Sequence, residues 1–63
     1  MRNNYKTRRK ACGWTRENLA AAAGISLSTV VRAEAHKAIS TLAERAIEAA
    51  LSLKESETEE VAR

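Results

Sequence analysis

A three-residue break near the middle of the chain separates two stretches of strong helix formers. The run Ala20–Ala23 precedes the break, and alanine is the strongest helix former. Gly24 suits the left-handed turn at a helix C-terminus, and Ser26 suits the N-cap of the next helix. Because only three residues join them, the two helices must meet at a sharp angle, with Ile25 turned inward as the hinge.

The residues before this pair predict a short basic helix and then the start of the second helix. The first helix begins after Asn3 or Asn4, either of which is a competent N-cap, and runs to about Ala11. Gly13 stops it. Thr15 then caps the second helix, which ends before the break.

Two residues at the start of the second helix predict how the chain enters it. Trp14 and Leu19 have the spacing of a hydrophobic staple, which places Trp14 in the core rather than on a base. Cys12 is expected to pack between the first helix and Trp14 as a small hydrophobe.

A third helix is predicted from Leu27 to about Ala35, and a fourth opens at Thr41 with a capping box over residues 41–44. The acidic tail from Glu55 onward is expected to fray. The apolar stripe of the fourth helix follows spacings of three and four and consists of Leu42, Ala46, Ala50 and Leu53, or of Ile47 and Leu51 on its flank.

These elements define an all-α class with four helices and one domain. A chain of 63 residues allows no second domain, so residues 1–53 form the domain and residues 54–63 an acidic tail, frayed or part of a dimer contact. A single cysteine excludes an internal disulfide, and no apolar run approaches the length of a membrane span or follows Met1 as a signal peptide. We therefore expect a soluble cytoplasmic protein.

The charge is divided unevenly along the chain. Residues 1–37 carry eight Lys and Arg against two Glu, a net +6, whereas residues 38–63 carry three against six, a net −3. A basic half joined to an acidic half is typical of a protein with a surface for a polyanion, although a solubilising mixture of charges would give the same count.

The combination of a helix, a glycine turn and a second helix is a helix-turn-helix unit, here at about residues 16–35. The stretch 13–34, with Leu19 and the small Ala20 just before the glycine, resembles the phage-repressor and Cro-like (XRE) helix-turn-helix domains. The similarity extends over about residues 5–51. It implies a compact, lambda-repressor-like four-helix fold and a bacterial or phage transcription regulator that binds operator DNA as a dimer.

The resemblance also implies DNA-binding roles for single residues. Thr15 and Arg16 open the second helix, where related proteins hold a phosphate, and a helix N-terminus favours anions on its own. Arg32 matches a position that faces base edges and can bind guanine O6 and N7. Ser28 lies one turn earlier on the same face. Leu27 or Thr29 can also reach a base edge, where either would contact the methyl group of a thymine.

In the same family an arginine late in the first helix pairs with a glutamate that ends the recognition helix. Arg9 and Glu34 occupy these positions, so we expect a structural ion pair rather than DNA contact. Further phosphate contacts are expected from basic side chains that should be exposed to solvent, namely Arg8, Lys10, Arg2 and Lys6, and from His36 or Lys37.

The sequence departs from the family at four points. Ala35 stands where Gly or Asn is common, and the loop over residues 37–40 is short and contains no proline. Val31 is apolar at a position that is usually polar. The usual fifth helix is absent or reduced to the tail, so the dimer surface is expected on the fourth helix and tail, at Leu51, Leu53 and Val61.

The expected function is sequence-specific regulation of transcription by a small homodimeric autorepressor of a phage or mobile-element operon, which binds a palindromic operator in the major groove. No serine or threonine is paired with a base and His36 has no second metal ligand nearby, so we expect no enzyme, metal, cofactor or small-molecule effector. Two other functions use the same fold: an antitoxin whose tail folds on a toxin, and a recombination directionality factor that bends DNA.

Overall fold

The computed structural model describes residues 4–62, and their side chains as far as residue 57. It contains four helices: α1 (Tyr5–Ala11), α2 (Arg16–Ala23), α3 (Leu27–Glu34) and α4 (Thr41–Ala62). No strand occurs among residues 4–62, so the predicted all-α class is confirmed. No helix in this described part is both long enough and apolar enough to cross a membrane.

The first three helices end in the same backbone turn. A residue with positive φ follows each helix, and the next N–H donates to a carbonyl five residues earlier. The three residues with positive φ are Gly13, Gly24 and His36, with φ of 76°, 72° and 63°. The hydrogen bonds run from Trp14 to Arg9, from Ile25 to Ala20 and from Lys37 to Arg32, at 3.2, 3.0 and 2.9 Å. His36 therefore makes the turn that glycine makes in α1 and α2, one residue after Ala35.

Side chains cap the starts of α2, α3 and α4. Thr15 accepts from the backbone N–H of Asn18, and Ser26 accepts from that of Thr29. At α4 the cap lies one residue earlier than predicted, because the hydroxyl of Ser40 accepts from the N–H of Ala43 at 3.0 Å. The capping box predicted over residues 41–44 is therefore wrong. Asn4 precedes α1 but makes no such side-chain bond.

The core lies between α2, α3 and α4. Its fully buried side chains are Leu19, Val30, Ile47 and Leu51. Ala20 and Ala33 are also buried, and their small side chains let α2 and α3 approach closely. Partly buried side chains that pack against this cluster include Cys12, Trp14 and Ile25, as the sequence predicted.

The buried face of α4 is the alternative that the sequence left open, with Ile47 and Leu51, and not the stripe that contains Leu42 and Leu53. Its buried residues are Ala43, Ile47, Ala50 and Leu51, whereas Leu42 is 76% and Leu53 66% exposed. The helix has apolar residues at helical spacing on two faces, and the face with Ile47 and Leu51 turns inward. Leu51, expected at a dimer interface, belongs to the core instead, and that expectation is wrong. The side chain of Val61 lies outside the described residues.

α4 continues through the acidic stretch to Ala62, where the sequence predicted an end near residue 53 and a frayed tail. Arg8 of α1 contacts this extension. It donates to Glu48 at 2.9 Å and to both carboxylate oxygens of Glu55 at 2.8 and 2.9 Å. These bonds join the basic first helix to the acidic half of the chain.

Leu51→Ala should lower the free energy of unfolding by about 2–5 kcal/mol, because it removes a fully buried side chain. Leu53→Ala, the same change on the exposed side of α4, should alter it by less than about 0.5 kcal/mol. Urea denaturation followed by Trp14 fluorescence, at a concentration where the chain is monomeric, measures both. Equal losses in the two variants would contradict this assignment of the buried face.

Candidate nucleic-acid interface

One face of α3 is apolar and packs in the core. The other face is exposed to solvent and carries both polar and apolar side chains. Val30 and Ala33 are buried. The exposed residues of the helix are Leu27, Ser28, Val31 and Arg32. Ser28 and Arg32 are four residues apart, so they share one side of the helix. Three of the four residues expected to face base edges therefore lie on the exposed surface.

Thr29, the fourth of these residues, is placed differently. It is half-buried, and its hydroxyl lies 2.9 Å from that of Ser26 at the N-cap of α3. Its backbone N–H also donates to the Ser26 hydroxyl. The side chain thus takes part in capping the helix.

The N-terminus of α2 lies beside this exposed face. Thr15 and Asn18 satisfy each other's backbone N–H groups, each at 3.1 Å. The next two N–H groups, on Arg16 and Glu17, have no partner within the helix and carry the positive end of its dipole. An open groove runs between this turn and α3, lined by Thr15, Arg16, Glu17, Leu27 and Val31 with the more buried Arg9 and Trp14.

Glu34, at the end of α3, brings two arginines together. Arg9 of α1 donates to one carboxylate oxygen at 2.6 Å and to the other at 3.3 Å, and also to the carbonyl of Trp14 at 2.8 Å. Arg16 of α2 donates to Glu34 at 3.1 Å. The side chains of Arg9 and Glu34 are 8% and 3% exposed, whereas that of Arg16 is 46% exposed. The structure therefore places a buried ion pair beside a half-exposed arginine.

The ionisation of Glu34 depends on these two partners. Burial by itself would raise the pKa of Glu34, but the hydrogen bonds from Arg9 and Arg16 outweigh it and lower the pKa below its ordinary value. The carboxylate is thus ionised at neutral pH, and Arg16 is held at the edge of the groove.

Arg8 is not the exposed phosphate-binding residue that the sequence predicted. Its side chain is 25% exposed and bound by two glutamates of α4. Its hydrogen bonds lower the pKa of Glu48 and of Glu55, so all three groups are charged at neutral pH. The expectation of a solvent-exposed Arg8 is wrong. Glu48 and Glu55, which lie 40 and 47 positions further along the chain, neutralise its charge.

Other predicted phosphate contacts lie on the surface. Lys10 is exposed near the end of α1, and His36 and Lys37 are exposed where the chain leaves α3. Arg32 donates to the carbonyl of Ala38 in this loop at 3.3 Å. That bond uses one of its five N–H donors and leaves the others for a ligand. Arg2 lies outside the described residues.

Sequence reasoning missed two features of this surface. The Arg16–Glu34 bond joins residues from different helices, and only the pairing of Arg9 with Glu34 had a signal in the family pattern. Val31 carries a sequence signal, since it is apolar at a position that is usually polar in the family, but that pattern implies no contact for it. Among the described residues, no group of three His, Cys, Asp or Glu side chains could hold a metal ion.

The sequence model of a helix-turn-helix family, HTH_3, matches residues 6–57. The chain belongs to this helix-turn-helix family. The match includes α2, α3 and the turn between them, and the resemblance inferred from the sequence is confirmed. Comparisons with curated proteins and with solved structures give no match.

Family membership identifies the general function of this helix-turn-helix domain. The family consists of DNA-binding domains of transcription regulators and is not an enzyme family. The protein is thus a DNA-binding transcription regulator, and the exposed face of α3 with the start of α2 is its candidate interface.

Glu34→Gln should lower the free energy of unfolding by roughly 3 kcal/mol, because Arg9 would keep a buried charge without a counter-ion. Arg16→Ala should cost less than about 1 kcal/mol, since that arginine is half-exposed. Glu17→Gln makes the same charge change on an exposed residue and serves as the control. Urea denaturation at pH 7 measures all three.

Glu34→Gln should also change how the free energy of unfolding depends on pH in acid. The pKa of Glu34 in the folded state is below its ordinary 4.5, so its contribution is present above about pH 4.5 and is lost as the pH falls through the folded value. Stability of Glu34→Gln should therefore fall less steeply than wild type below pH 4.5. Identical profiles, or an unchanged stability at pH 7, would show that the pair does not stabilise the fold.

Proposed function

We propose that this protein is a sequence-specific repressor that binds a palindromic operator as a homodimer and controls its own operon, of phage or mobile-element origin. The observation that carries the DNA-reading part is the exposed face of α3, with Ser28 and Arg32 one turn apart beside the free N-terminus of α2. α3 is the second helix of the unit, which is the helix that enters the major groove in helix-turn-helix proteins.

The affinity in this proposal comes from charges that the fold leaves unneutralised. Arg8 and Arg9 are bound by glutamates, so their charges are removed from the basic half of the chain. In that half, exposed basic side chains remain at Lys6, Lys10, Arg16, Arg32 and Lys37, of which Arg16 is 46% exposed and shares Glu34 with Arg9. Because Arg32 is assigned to a base, the other four side chains are the phosphate contacts, and binding should weaken as salt rises by the release of counterions from about four phosphates per subunit.

The specificity in this proposal comes from α3. Arg32 reads a guanine through its O6 and N7 atoms, and Ser28 contacts the adjacent base pair. The bond from Arg32 to Ala38 orients the guanidinium beside the loop before DNA is bound. The repressor role is proposed because a protein bound to an operator within a promoter blocks that promoter by occupancy alone.

A homodimer is proposed because one short recognition helix reads too few base pairs for specific binding, whereas two address half-sites about 34 Å apart. The proposed interface is the exposed stripe of α4, with large side chains at Leu42 and Leu53. Ala46 and Ala49 lie between them at alternating spacings of four and three, and their small side chains allow two helices to pack closely.

Arg32→Ala should weaken binding to the specific site by about 1–3 kcal/mol and relax the choice at one base pair, because it removes a bidentate contact. Arg45→Ala removes the same charge from an exposed position on α4 and is the matched control. Gel-shift titration against DNA from upstream of the gene, with excess random competitor, measures both. An equal loss on specific and random DNA would make Arg32 a phosphate contact.

The outcome for the wild-type protein tests the proposal as a whole. A competitor-resistant complex on upstream DNA supports an autorepressor, whereas a specific site beside an integrase gene with several repeats would favour the DNA-bending factor. Failure to select any specific sequence from a random DNA library would contradict sequence-specific binding.

Leu53→Glu should convert the dimer to a monomer at micromolar concentration, because it replaces one of the two large apolar side chains of the stripe with a charge. Arg45→Glu places the same residue on α4 outside the stripe and should leave the dimer intact. Sedimentation equilibrium of the free protein and of the operator complex gives the stoichiometry. A wild-type monomer with a single DNA half-site would contradict the dimer, and toxin binding by the stripe would favour the antitoxin function.

A further inference from the structure

Two apolar side chains stand on the proposed DNA-binding face of α3. Leu27 and Val31 are four residues apart and therefore neighbours on the helix surface. Each is 41% exposed, although the adjacent Val30 and Ala33 are fully or almost fully buried. The two exposed residues line the same groove beside the first turn of α2. They form an exposed apolar pair in a groove whose other lining includes two arginines, Thr15 and one acidic residue, Glu17.

The charges around this pair restrict what can cover it. Arg16, on the far side of the groove, is half-exposed and bound to Glu34, and Arg32, the next residue after Val31, is exposed. The N-terminus of α2 adds a positive dipole end at the same place. A partner that buries Leu27 and Val31 must therefore be anionic at its edges and apolar between them.

Double-stranded DNA has this combination in its major groove. Phosphates line both edges, and the C5 methyl group of thymine is the apolar group that the bases present there. The β-carbons of residues four apart on a helix are about 5–6 Å apart. This distance spans one to two base-pair steps, so the two side chains can reach two thymines in neighbouring positions.

We propose that Leu27 and Val31 bind thymine methyl groups in each half-site, next to the base pair contacted by Arg32. The inference rests on the proposed function, and it extends to Val31 the thymine contact that the family resemblance implies for Leu27. Val31 is thereby a specificity-determining residue, and Leu27 shares that role.

The test replaces thymine by uracil, which keeps every hydrogen-bonding group of the base and lacks only the methyl. A specific site is first selected from random DNA with the wild-type protein. Each thymine of the half-site is then replaced in turn, and the dissociation constant is measured by fluorescence anisotropy. Replacement at a contacted thymine should weaken wild-type binding about fourfold. This factor corresponds to the free energy of transferring one methyl group out of water.

Two variants assign the methyl contacts to residues. Val31→Ser removes both methyl groups of the side chain, and Leu27→Asn removes most of the apolar surface; both positions are partly exposed, so the fold should be retained. Each variant should bind the thymine site more weakly and lose the effect of uracil at one position. Arg32→Ala is the control, because it should weaken binding but keep the full effect of uracil.

The outcomes separate this inference from the proposed function. Equal wild-type binding to thymine and uracil sites would overturn the inference while leaving specific DNA binding established. A uracil effect that persists in both variants would also overturn it, since another residue would then contact the methyl groups. Failure to select any specific site would overturn the proposed function, and the methyl contacts with it.

Discussion

The carboxylate of Glu34 joins the three helices on which the interface depends. It lies at the end of α3 and accepts hydrogen bonds from Arg9 of α1 and Arg16 of α2. Arg9 also holds the carbonyl of Trp14, in the turn that leads into α2. Because Arg9 is almost fully buried, loss of the Glu34 carboxylate would leave an unpaired charge in the core. The placement of the recognition helix beside the start of α2 thus depends on one ionised group.

The remaining charges divide the molecule into two regions. Two glutamates of α4 bind Arg8, so the acidic half of the chain neutralises a residue of α1 and not the exposed arginines of α2 and α3. Positive charge consequently remains around the groove between Arg16 and Arg32. This distribution favours a polyanion at that surface, with the exposed leucines of α4 available to a second protein chain.

Much of the fold could be predicted because helix ends are local. The caps at Thr15 and Ser26 and the left-handed turn at Gly24 need only residues within one helical turn, and all three occur as predicted. The helix α4 starts at Thr41 as predicted, but its cap lies one residue earlier, because Ser40 and Thr41 are both competent caps. For the candidate site, the sequence pattern identified the exposed Ser28 and Arg32, while it missed Val31 and the shared use of Glu34 by Arg16.

The sequence by itself determined the four helices, the sharp turn between α2 and α3, and the family, since each follows from residue types at short spacing. Only the tertiary structure decided which face of α4 is buried. That helix carries apolar residues on two faces, and packing against α2 selects the one with Ile47 and Leu51. It also decided which arginines can reach a ligand. Arg8 is neutralised by glutamates 40 and 47 residues away, and such contacts exist only once the chain has folded.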